Sequence, residues 1–192
     1  MKTFELKGQE RKDVGKKATK ADRVAKSVPC VLYGGANNVH FTATESDLRK
    51  LIFTPEVFLV SLNIDGKTTN AVMKEIQFHP VSDKVLHIDF LEVTGEKPVV
   101  VELPVQLNGL AEGVRAGGKL SLEMRKLRVK GIYTQIPEKI EIDVTNLALG
   151  KSIQVGKVSV PNLEVLNAKN AVVAQVRLTR AARGAAATAA AN

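Results

Sequence analysis

Val57-Phe58-Leu59-Val60-Ser61-Leu62-Asn63-Ile64-Asp65-Gly66-Lys67-Thr68-Thr69-Asn70-Ala71-Val72-Met73 is the stretch on which the fold class turns. Two runs rich in β-branched and apolar residues flank Asp65-Gly66, a pair that accepts positive φ at both central positions of a two-residue hairpin turn. The expectation is a strand over Val57–Ile64 and another over Lys67–Gln77. Working outward, Val85–Val93 reads as a strand after the Pro80 turn, and Val28–Tyr33 as a buried strand ended by Gly34-Gly35. Phe4–Lys7 and Val39–Thr42 add shorter strands. Ala18–Lys26 suits a short helix whose Lys16, Lys20 and Arg23 share a basic face, and Ser46 is placed to cap a second helix running to about Ile52.

The composition agrees with a mostly β protein. Of 192 residues 44% are hydrophobic and only 4% aromatic, with no Trp, so the core must rest on Val, Ile and Leu. Thr94-Gly95-Glu96-Lys97-Pro98 is short, polar and helix-breaking, which sets a domain boundary and gives an N-terminal domain over residues 1–94. Beyond it, Val99–Leu107, Lys119–Ile132, Lys139–Val144, Ser152–Val155 and Ala171–Leu178 are strands separated by turn signals, a second all-β domain over residues 95–180. Residues 181–192 are alanine-rich with nothing to bury, and a disordered tail is expected.

The net charge of +8 sits near the chain ends. From Lys7 to Lys26 there are eight basic residues against three acidic ones, and from Arg177 onward three arginines and no acid, which leaves the remainder neutral. Such segments suit a protein that meets a polyanion; a solvated basic face is the bland alternative. From Gly95 to Val176 eleven basic residues face eight acids. Their excess gathers at Arg125–Lys130 on one expected strand, a place for a weak second RNA contact. The start Met1-Lys2-Thr3-Phe4-Glu5 has no apolar leader, and no stretch approaches membrane-spanning length, so a cytoplasmic protein with no membrane partner is expected. Cys30 is the only cysteine, which excludes an internal disulfide and a thiolate metal cluster. No phosphate-binding loop, nucleophile elbow or metal-ligand spacing is present, so neither catalysis, a cofactor, a metal nor a small-molecule substrate is expected. The competing enzyme reading would use His79, His87 and Asp89 as a metal or acid/base site. The Gly113–Gly118 turn reads as a plain turn in preference to an anion nest.

Four motifs stand in order: Arg11-Lys12-x-x-Gly15-Lys16-Lys17-Ala18, Pro29-Cys30-Val31-Leu32-Tyr33-Gly34-Gly35, Ile76-Gln77-Phe78-His79-Pro80 and His87-Ile88-Asp89-Phe90. In this order and spacing the chain resembles the bacterial 5S-RNA-binding ribosomal protein family, in its longer two-domain Ctc, or general stress, form. Gly109–Gly118 resembles the loop characteristic of that family's second domain. The resemblance implies a six-stranded β-barrel first domain lying against a helical loop of 5S ribosomal RNA, a β-rich second domain, and a place in the large ribosomal subunit, with neighbouring ribosomal proteins as further partners. A stress-linked factor that docks transiently on ribosomes through its second domain is the alternative.

The residue chemistry fits such a partner. Double-helical RNA hides its base edges in a deep, narrow major groove, so recognition rests on phosphates, 2′-hydroxyls and the shallow minor groove. Arg11, Lys16, Lys20 and Arg23 can supply phosphate donors; Tyr33, Gln77, His87 and Asp89 can hydrogen-bond sugars or base edges. Tyr33 also reads as a core tyrosine, His79 as a residue that only holds its turn, and His87 with Asp89 as a structural pair. Where many members of the family carry two adjacent arginines this chain has Lys20-Ala21-Asp22, so a planar fork is replaced by a point charge and a methyl with an acid beside them. Phe78 stands where a basic residue is common. Both changes lower the expected strength of the RNA contact.

Overall fold

The computed structural model describes residues 1–180, and the alanine-rich stretch expected to be a disordered tail lies outside them. The chain divides into two compact units, one of Met1–Val101 with Ile132–Ile136, the other of Glu102–Gly131 with the residues from Pro137 onward.

The first unit contains β1 (Lys2–Glu10), α1 (Lys16–Val24), β2 (Ser27–Tyr33), β3 (Val39–Thr44), α2 (Glu45–Ile52), β4 (Phe58–Ile64), β5 (Lys67–Phe78) and β6 (Val85–Glu92). Its six strands close into a barrel in the order β1-β3-β2-β6-β5-β4. The β4–β5 turn is the one the sequence demands: Asp65 and Gly66 both have positive φ, 47° and 89°, and Ile64 pairs with Lys67. Closure comes from a parallel pairing of β1 with β4, Lys2 opposite Phe58 through Gly8 opposite Ile64. A second parallel pairing joins β2 to β6.

Alternation along the strands sends Leu6, Cys30, Leu32, Phe41, Val60, Leu62, Ile88 and Phe90 inward, all essentially buried. Phe41 and Phe90 meet with ring centroids 5.7 Å apart. Gly8 makes room for this pair, since a Cβ there would stand 2.6 Å from the Phe41 ring. Cys30 is sealed in the same core, and burial, with the nearby Asp89 charge, pushes its thiol up to about 12, so it stays neutral and unreactive. The cap of α2 is Thr44, two residues before the expected Ser46: the Thr44 hydroxyl accepts from Asp47 N and donates to the Asp47 carboxylate at 2.5 Å.

The second unit is built from β7 (Val99–Asn108), α3 (Glu112–Arg115), β8 (Lys119–Leu122), β9 (Lys126–Gly131), β10 (Ile140–Asp143), β11 (Ser152–Gln154), β12 (Glu164–Val165) and β13 (Val172–Arg177). They form one sheet ordered β10-β7-β9-β12 and another ordered β11-β13-β8. The single strand expected over Lys119–Ile132 is therefore two strands in different sheets. The break lies at Glu123–Arg125, where Glu123 N and Met124 N both donate to Val173 O and the chain leaves one sheet for the other. Ala111, Val144, Leu147 and Val176 form a buried cluster under the Gly109–Gly118 loop, in which α3 occupies the turn expected there. No helix among the described residues is long and apolar enough to cross a membrane.

Candidate nucleic-acid interface

Helix α1 buries none of its residues. A helix polar on all sides gains little from packing, and this one is held instead by side-chain contacts at three points. The Thr19 hydroxyl donates to Gly15 O at 2.8 Å. Arg11 Nη2 donates to that hydroxyl at 3.2 Å and reaches Asp22 Oδ2 at 2.9 Å, a charge contact too poorly aligned to count as a hydrogen bond. Arg23 donates from both Nε and Nη2 to Leu86 O, at 3.3 and 2.9 Å, which fixes the end of the helix against β6 beside His87. Lys16 and Lys20 remain exposed on the helix.

The sheet face beside this helix is polar for a geometric reason. In β6, Ile88 and Phe90 point into the barrel, so His87 and Asp89 point out by the two-residue period. Gln77 on β5 lies directly opposite His87, Glu75 opposite Asp89, and Val31 on β2 is Asp89's other neighbour. Tyr33 stands two residues along β2 from Val31 on the same face and is half-buried. Burial raises its phenol above the ordinary 10.0, and the Asp89 and Glu75 carboxylates add to the rise, which locates both acids around it. His87 Nδ1 and Asp89 Oδ1 are 2.8 Å apart with about a third of each side chain exposed. The face thus offers a hydroxyl, an imidazole, an amide and two carboxylates at three successive levels across three strands, a set able to address 2′-hydroxyls and base edges in a shallow groove.

Of the eight residues singled out in the sequence, Tyr33, Gln77, His87 and Asp89 come together on this face, and Arg23 abuts it through Leu86. Lys16 and Lys20, exposed on the adjoining helix, have no acidic partner among the described residues. Arg11 is different: its side chain is only 10% exposed and is engaged by Asp22 and Thr19. Glu75 was not among the eight. Its signal is the β5–β6 register, which depends on a bulge between Met73 and Glu75 that sequence spacing does not reveal. His79 takes the structural role left open for it, its Nδ1 accepting from Val81 N and Ser82 N at 3.3 and 3.2 Å. Among the described residues there is no group of three or more His, Cys, Asp and Glu side chains that could hold a metal ion.

The second unit handles charge in another way. Arg128 pairs with Glu102 at 2.9 Å, Lys139 with Glu141 at 2.9 Å, Arg177 with Glu123 at 2.7 Å, and Lys130 lies 3.9 Å from Glu164. Of the basic run at Arg125–Lys130, Arg128 and Lys130 are thereby answered by acids.

Residues 6–90 match the model of the ribosomal L25p family, and residues 98–180 match that of the ribosomal protein TL5 C-terminal domain. This chain belongs to the ribosomal L25p family. Curated relatives named large ribosomal subunit protein bL25 align end to end with it. The one from Phocaeicola vulgatus is 56% identical, covering 98% of this chain and 99% of the relative. Those from Porphyromonas gingivalis and Azobacteroides pseudotrichonymphae are both 59% identical, over 97% and 95% of this chain and 98% and 97% of the relatives. As an L25p family member of the two-domain form the chain is a structural protein, not an enzyme.

Proposed function

We propose that this protein is a component of the large ribosomal subunit that holds 5S ribosomal RNA through its first unit, in the cytoplasm. Lys16, Lys20 and Arg23 meet backbone phosphates, while Tyr33, Gln77, His87 and Asp89 meet sugars and base edges. The observation that carries this reading is the group of outward polar side chains on a closed barrel, set beside a helix that buries nothing. Neither feature serves the core, and together they combine positioning charge with groups that discriminate. Arg11 acts chiefly by bracing α1, with its charge offset by Asp22.

The test is a titration of labelled 5S ribosomal RNA at several salt concentrations. Neutralising about three phosphates, one for each of Lys16, Lys20 and Arg23, gives a log–log slope of about −3, taking the duplex relation as a guide. A salt-independent affinity, or equal binding to an unrelated RNA helix of the same length, would sink the proposal. The low net charge of the second unit, eleven basic residues against eight acids from Gly95 to Val176, supports a protein neighbour for it at least as well as RNA. Comigration with large subunits that survives a mild salt wash supports a stable component, whereas release supports a transiently bound factor.

A further inference from the structure

The first unit carries a groove that shares only Lys20 and Arg23 with the proposed 5S contact. It is enclosed by the end of α1, by α2 and by the turn between β5 and β6. Its walls hold five Lys or Arg residues (Lys20, Arg23, Lys26, Arg49 and Lys84) against two acids, Glu45 and Asp83. Among the described residues Lys26, Arg49 and Lys84 make no ion pair. Apolar side chains stand open between these charges: Val24 is 77% and Phe53 66% exposed, both lining the groove. Two of the four non-glycine residues with positive φ also line it, Lys26 at 59° and Asp83 at 52°. At Lys26, just past the end of α1, a glycine would sit with less strain, and departures of this kind gather at binding sites.

Unpaired cations around an open aromatic ring form a platform for an unpaired nucleic-acid strand, with phosphates on the charges and a base stacked on the ring. A concave wall of one sign also concentrates an anionic ligand. We propose that this groove is a second RNA site, one that takes a single-stranded segment, with Lys26, Arg49 and Lys84 on phosphates and a base against Phe53. Lys20 and Arg23 border both the groove and the duplex-facing side, so a strand leaving the bound helix enters it. This continuity alone rests on the 5S reading; the charge and the exposed ring do not.

The experiment uses the full chain and two probes, a labelled twelve-nucleotide oligouridine and labelled 5S ribosomal RNA. Phe53→Ala is expected to weaken the oligouridine about tenfold, as loss of one stacked base does. Arg49→Glu with Lys84→Glu should weaken it at least as much and flatten its salt dependence, with 5S affinity within about twofold of the intact chain. Lys26→Gly relieves the backbone while removing a charge, so thermal stability holds or rises and oligouridine affinity falls about threefold. Oligouridine binding unchanged in all three variants overturns the proposal, whether or not 5S binding is seen. So does capture of a labelled Glu-rich peptide that Phe53→Ala abolishes while the oligouridine is indifferent to that change, which assigns the groove to an acidic protein.

Discussion

Asp22 restrains the guanidinium of Arg11. Arg11 is nine-tenths covered and Asp22 about a quarter exposed, so their contact is only partly screened by water. Replacing Asp22 by Asn removes the opposing charge while keeping the shape. The expected outcome is tighter binding to 5S ribosomal RNA with a salt slope steeper by about one, read from titrations at several salt concentrations. The accompanying loss of stability should be about 1 to 3 kcal/mol, below that of a fully buried pair broken on one side. Tyr33 gives a cleaner separation. Its phenol lies between burial and two carboxylates, so Tyr33→Phe deletes a polar group without disturbing the barrel. Selectivity between 5S ribosomal RNA and an unrelated helix should fall while the melting temperature holds. The opposite pattern would make Tyr33 a core residue.

At the scale of elements, the hairpin and the helix α1 were legible because their signals are local. Asp65-Gly66 dictates its turn from two residues, and the three-to-four spacing of Lys16, Lys20 and Arg23 dictates their common face. What the sequence hid depends on partners far along the chain. Gly8 looks like an unremarkable break in a strand until Phe41 is seen packed over it. An alanine there forces the ring aside, so Gly8→Ala should cost about 1 to 3 kcal/mol in chemical denaturation. Trimming the ring with Phe41→Leu should recover part of that loss, and a double-mutant cycle measures the coupling. The break at Glu123 was hidden for a similar reason. Lys119–Ile132 has a continuous strand pattern, and only the shared acceptor Val173 O shows where the chain changes sheets. The bulge that brings Glu75 opposite Asp89 was equally invisible.

At the scale of the molecule, the two units differ in how they carry charge, and this separates their responses to pH and truncation. Three carboxyls of the second unit are held below their ordinary values. Hydrogen bonds from Gln175 and Ser121 lower Glu123 from 4.5, Lys139 lowers Glu141 from 4.5, and Thr145 lowers Asp143 from 3.8. A lowered folded-state value means that the stabilisation is present above the ordinary value and is lost as pH falls through the folded one. Acidification from about pH 5 to about pH 3 should therefore loosen the second unit. Hydrogen exchange resolved by residue checks this, and Glu123→Gln should flatten the acid limb. The proposed 5S contact, by contrast, rests on residues of the first unit. A fragment ending at Thr94 should keep most of the affinity for 5S ribosomal RNA, and residues 95–180 should add little; tight binding by the second fragment alone would reverse that assignment.

The parallel seam between β1 and β4 bears on how the chain is made. Lys2 leaves a translating ribosome 56 residues ahead of its partner Phe58. At synthesis rates of about 5 to 20 residues per second, the first strand waits roughly 3 to 11 s for the strand that shuts the barrel. For that interval the newborn chain displays a lysine-rich segment with neither Leu86 to hold it as a helix nor a folded barrel behind it. Its earliest encounters with RNA are thus governed by charge alone, and the ability to choose among RNAs arrives only when β5 and β6 complete the wall.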